Sequence, residues 1–114
     1  MVKLASTVEE YKKCREFLAI YGEYPLPFTI LFYIEEKDII CVGGYHKDYG
    51  AMLEPMQSKT VKASLEMYKF FIEYLKTLGH ITFRFKTTNE KLIALMKKHF
   101  KFVEQKSTYL VKEL

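Results

Sequence analysis

The sequence predicts one domain of mixed α/β class, an α+β chain whose strands form a mixed sheet. Three observations lead there. The 114 residues are 49% hydrophobic and 16% aromatic, spread along the chain, which is core material for one domain. Apolar residues recur at helical spacing in three segments, and β-branched or aromatic runs separate them. No repeat, low-complexity tract or linker divides the chain, so the order β-α-β-β-β-α-β-α-β belongs to a single unit, residues 1–114.

Residues 2–5 read as a short first strand. Ser6-Thr7-Val8-Glu9 then reads as a capping box, with Ser6 as N-cap and Glu9 as its partner. Val8, Tyr11, Cys14, Leu18 and Tyr21 give the following helix its apolar face, and Gly22 with Pro25-Leu26-Pro27 stops it. Residues 28–34 and 39–46 are two strands of an antiparallel hairpin around the polar turn 35–38. A turn at 47–50 leads to a third strand, 51–54, which Pro55 ends or bends.

From Val61 the period becomes helical. Val61, Leu65, Tyr68, Ile72, Leu75 and Leu78 form one stripe, closed by Gly79 at C′. Ile81, Phe83 and Phe85 alternate with polar residues as a half-buried strand. Asn89 caps a last helix whose apolar face is Leu92, Ile93, Met96 and Phe100. The tail, 102–114, is either one bulged strand or a tight hairpin. A right-handed crossover through the second helix predicts that 81–86 runs parallel to the strand ending near Glu54, the two splaying apart to leave a slot.

The formal net charge is +4, unevenly placed: residues 1–57 carry six basic against nine acidic side chains, and residues 58–114 twelve against five. An anionic partner would therefore meet the second half. Aromatic residues there alternate into the core face rather than forming a stacking platform, so nucleic acid is not expected as a partner. The N-terminus has no apolar signal region and no run is long enough to cross a bilayer, which predicts a cytoplasmic protein with no membrane partner. Cys14 and Cys41 have neither the number nor the spacing of a disulfide framework or zinc site and read as buried hydrophobes. His46, His80 and His99 lack ligand spacing, so no metal is assigned. Walker loops, nucleophile elbows and nucleophilic Cys/His signatures are also missing.

With these elements in place, the chain resembles the GNAT superfamily of acyl-CoA N-acyltransferases, in which a three-strand meander feeds a cofactor loop and helix. The family loop Gln/Arg-x-x-Gly-x-Gly/Ala falls on Gln57-Ser58-Lys59-Thr60-Val61-Lys62, of which only Gln57 is kept. A shift by one brings Ala63 to the last small position and loses Gln57. Such a loop turns backbone N–H groups toward a pyrophosphate at a helix N-terminus. Lys59 and Lys62, with no acid before Glu66, and the donors Ser58, Thr60 and Ser64 suit an anion there. Asn89-x-x-Leu92-x-x-Leu95-Met96 is similar to the family's Asn-x-x-Ala-x-x-Leu-Tyr helix, with Met96 where the family has its proton-donating tyrosine.

The resemblance implies a central, mixed, mostly antiparallel sheet with helices on both faces. It also implies acetyl-CoA as co-substrate and an amine as acyl acceptor, with a homodimer allowed. Cofactor contacts would come from Leu53, Gln57, Ser58, Lys59, Thr60, Val61, Lys62, Ala63 and Asn89. A backbone N–H at or beside Leu53 would polarise the thioester carbonyl, and Glu54 would be the base, with His46 as second choice. The missing glycines and tyrosine support the alternative, a catalytically inactive GNAT-like binding or assembly module.

Overall fold

The computed structural model describes residues 1–50, 52–86, 90–100, 103–105 and 109–114. Along the chain these form β1 (Val2–Leu4), α1 (Val8–Ile20), β2 (Ile30–Glu35), β3 (Ile39–Tyr45), a 3-10 turn (Lys47–Tyr49), β4 (Leu53–Ser58) and α2 (Val61–Thr77). There follow β5 (Thr82–Lys86), α3 (Glu90–Phe100), β6 (Val103–Gln105) and β7 (Tyr109–Glu113). The molecule is an α+β fold. Its strands fall into two antiparallel sheets, β1-β2-β3-β4 and β5-β7-β6. Among the described residues a parallel bridge, Met52 to Arg84, joins them, and the mixed sheet expected from the sequence is there two sheets in contact. The tail is a hairpin of β6 against β7.

Burial explains the layers. The run Leu31-Phe32-Tyr33-Ile34 of β2 is buried throughout, as a strand covered on both faces must be. Leu31, Tyr33 and Val42 pack against Cys14, Phe17 and Leu18 of α1. Phe32, Ile34 and Cys41 pack against Met67, Tyr68, Phe71 and Leu75 of α2, and Met96 of α3 joins the same cluster. Helices therefore cover both faces of the four-stranded sheet. Both cysteines are free and buried, and burial pushes each thiol up to about 12, which leaves them unreactive at neutral pH.

Helix ends follow the chain's own chemistry, with one shift. Thr7 rather than Ser6 caps α1, accepting from the Glu10 N–H at 3.1 Å, while Ser6 Oγ donates to Glu10 Oε1. The box therefore lies one residue later than expected. Both long helices end in Schellman motifs: Gly22 N–H to Ala19 and Glu23 N–H to Leu18, then Gly79 N–H to Lys76 and His80 N–H to Leu75. Positive φ at Gly22 and Gly79, 73° and 84°, suits glycine there. The buried faces run through Phe17, Met67 and Phe71. Val8, Tyr21, Val61 and Leu78, expected in the helical stripes, and Ile81, expected on the inner face of a strand, lie at element ends and are exposed.

The third meander strand is Leu53–Ser58, later than the expected 51–54, and it runs through Pro55. Proline is tolerated because β4 is the outer strand of its sheet and the pairing is irregular there. Gly43 pairs Met56 and Tyr45 pairs Leu53, so Glu54 and Pro55 together oppose Gly44 in a bulge. A Cβ on Gly44 would lie 2.8 Å from Pro55 Cδ and 2.9 Å from the Glu54 carbonyl oxygen. Only glycine leaves room for this bend, which sets where Glu54 sits.

Candidate functional site

Strand β4 delivers the chain directly to the N-terminus of α2 across the two residues Lys59 and Thr60. The Lys59 N–H still belongs to the sheet, donating to the Ile40 carbonyl at 2.8 Å. Thr60 is the N-cap, its Oγ1 accepting from the Ala63 N–H at 3.1 Å. Ser58 Oγ donates to the Thr60 carbonyl at 2.8 Å and accepts from its N–H at 3.3 Å; Ser64 Oγ donates to the same carbonyl at 3.1 Å. The junction is thus fixed by its own hydroxyls. Val61 and Lys62, the first helical residues, keep N–H groups that have no intrahelical acceptor.

The charge at this end is unusual. The first turn of α1 carries Glu9 and Glu10 against the helix dipole, whereas that of α2 carries no acid. Lys59, Thr60, Val61 and Lys62 are all exposed, with Ala63 buried behind them. A cation in the first turn costs about 0.3–1 kcal/mol, a conflict that a bound anion relieves. Lys59 also lines a cavity of about 420 Å³ whose charges are mixed, with Lys13 and Lys37 beside Glu16, Glu35 and Asp38.

Of the two base candidates, Glu54 is exposed beside the bulge. His46 is buried, its Nδ1 accepting from the Asp48 N–H at 3.0 Å, which puts the proton on Nε2 for donation to the Pro27 carbonyl at 2.9 Å. Both ring nitrogens thus bind backbone and hold the 3-10 turn against the α1–β2 segment. Leu53 is buried in the core under α2, and the placement of Asn89 lies outside the described residues. Met96 is fully buried, so a tyrosine there would place its hydroxyl in the core.

Glu23 belongs to this site although no sequence motif marks it. Its Oε1 accepts from Gln57 Nε2 at 3.0 Å, tying the end of α1 to β4, while its Oε2 is buried with no partner among the described residues. Burial pushes this carboxyl above its usual range, the Gln57 amide opposes the rise, and the charge of Glu54 adds to it. The signal was present in position: Glu23 follows the helix-stopping Gly22, where Schellman motifs usually turn an apolar side chain back onto the helix. A glutamate at that place turns a carboxylate inward instead.

No protein-family model matches the chain, and no curated protein matches it. The site's chemistry therefore rests on its own residues. Among the described residues no group of three or more His, Cys, Asp or Glu could hold a metal, and no helix is long and apolar enough to cross a membrane. What remains is an anion-suited helix end, a bent outer strand, and the Glu54, Gln57 and Glu23 side chains around it.

Proposed function

We propose that the chain is an acyl-CoA-dependent N-acyltransferase of GNAT type, moving an acetyl group from acetyl-CoA to an amine. The observation that carries the reading is the junction of β4 with α2, where a strand runs into a helix N-terminus that presents two N–H groups and two lysines with no acid. A pyrophosphate fits that donor set. The strand orders β1-β2-β3-β4 and β5-β7-β6, touching through a parallel bridge at Met52, support it further. Among the described residues β4 and β5 share no ladder beyond this bridge, which suits strands that part around a cofactor.

In this reading the amine nitrogen attacks the thioester carbonyl, polarised by a backbone N–H at or beside Leu53. Glu54, directly or through water, takes the ammonium proton; the N–C bond forms, the C–S bond breaks, and coenzyme A leaves as thiolate. His46, with both nitrogens engaged, shapes the neighbouring loop. No side chain at position 96 protonates the thiolate, and the low basicity of a thiolate lets the reaction proceed without one.

The test is mass spectrometric detection of acetylated product across a panel of amines. Product formation slowed by about 10²–10⁴-fold in Glu54→Gln is expected for a general base. A chain that binds acetyl-CoA yet acetylates nothing would favour the second reading, an inactive binding or assembly module. Fully buried Met96 and the non-glycine Thr60 and Lys62 at the cap are the observations on that side.

A further inference from the structure

Between α1 and β2 the chain holds a phenylalanine in a left-handed conformation that residues with a side chain rarely adopt. Phe28 has φ 68° and is 93% exposed. It follows Pro27 in a turn closed by the Thr29 N–H to the Leu26 carbonyl at 3.2 Å, the type II pattern, whose third position belongs to glycine or asparagine. The turn is fastened from three sides. Thr29 Oγ1 donates to the Leu26 carbonyl at 2.7 Å, Tyr11 of α1 donates to the Thr29 carbonyl at 2.7 Å, and His46 holds the Pro27 carbonyl.

Strain of this kind persists only where surrounding contacts enforce it, and it gathers at ligand clamps. An aromatic ring left in water at such a position contributes no core packing to offset the strain. Phe28 is also a wall common to two cavities, one of about 420 Å³ and one of about 470 Å³, both in the size range of small-molecule sites. The first is lined by Phe28, Ile30, Tyr45 and His46 together with the adjacent charges Lys47 and Asp48.

We propose that Phe28 and this first cavity form a binding site for a free α-amino acid with an apolar side chain. The apolar body lies against Phe28, Ile30 and Tyr45. Lys47 and Asp48 make the rim neutral overall, so a simple cation or anion meets one attractive and one repulsive charge, whereas a zwitterion meets two attractive ones: its ammonium at Asp48, its carboxylate at Lys47. The site stands independently of acyl transfer, because it is read by binding alone.

The test is titration of the full chain with L-phenylalanine, phenethylamine and phenylacetate, followed by backbone amide shifts, alongside thermal melts of the chain and of Phe28→Gly and Phe28→Asn. L-Phenylalanine should bind about fivefold tighter than either single-charge analogue, the size of one partly exposed ion pair. Either replacement should raise the Tm by about 4 °C through release of strain while weakening L-phenylalanine at least about tenfold. No L-phenylalanine binding by the parent at millimolar concentration would overturn the proposal. So would a lower Tm for both variants, or unchanged binding by them. Sedimentation showing a parent dimer that Phe28→Gly dissolves would assign the ring to a second copy of the chain instead.

Discussion

A carboxyl group turned back toward a sheet, as Glu23 is after the α1 stop, ionises at a cost to the fold. Its folded pKa lies above the ordinary value of 4.5, so the folded state holds the proton over a range in which the unfolded chain has released it. Stability from this group is therefore fully present below about pH 4.5 and is lost as pH rises through the raised value. Glu23→Gln keeps the acceptor for Gln57 and removes the titration. Its Tm relative to the parent should climb between pH 4 and pH 7; a difference that stays flat or falls would place Glu23 in water. Gly44 makes the complementary case, where space decides and charge plays no part. Gly44→Ala must push against Pro55 and the Glu54 carbonyl and should cost about 1–3 kcal/mol in denaturant melts. A neutral result would mean that the bulge is not closely packed.

At the scale of elements, what was legible was what local pattern decides. The continuous apolar run of β2, the stripe through Tyr68, Ile72 and Leu75, and the glycine stops at Gly22 and Gly79 all follow from period and backbone freedom, and the chain forms them, with β2 starting at Ile30 rather than at Phe28, which lies in the preceding turn. Pairing was less legible. Proline signals a strand end, yet β4 continues through Pro55 because a bulge opposite Gly44 accommodates it, a fact about two strands that neither carries alone. Glu23 was missed for the same reason, since its partner Gln57 is 34 residues away. The β4–α2 junction was legible as a strand followed by a helix start near Val61, and Thr60 caps it by accepting from the Ala63 N–H. Electrostatics at that junction can be tested by charge reversal. Lys59→Glu with Lys62→Glu should weaken acetyl-CoA at least about tenfold more than Lys12→Glu with Lys69→Glu, a control pair that avoids Lys13 because Lys13 shares a groove with Lys59. Equal losses would indicate diffuse attraction and no local phosphate contact.

Across the described residues, two antiparallel sheets meet through a parallel bridge, and the junction that begins the basic half of the chain follows the strand leading out of that bridge. The chain thus runs from the bridge at Met52 along β4 to a helix N-terminus whose first turn carries no acid. On the function proposed above, this end receives the pyrophosphate of an acyl-CoA. Thermal unfolding with and without acetyl-CoA tests it most directly, because a ligand held only by the folded chain must stabilise it, by about 2.7 kcal/mol at a hundred times its Kd. The Tm should rise with acetyl-CoA concentration in the parent and should not rise in the Lys59→Glu, Lys62→Glu variant. A Tm unmoved at millimolar acetyl-CoA, or one that rises equally in that variant, would contradict it.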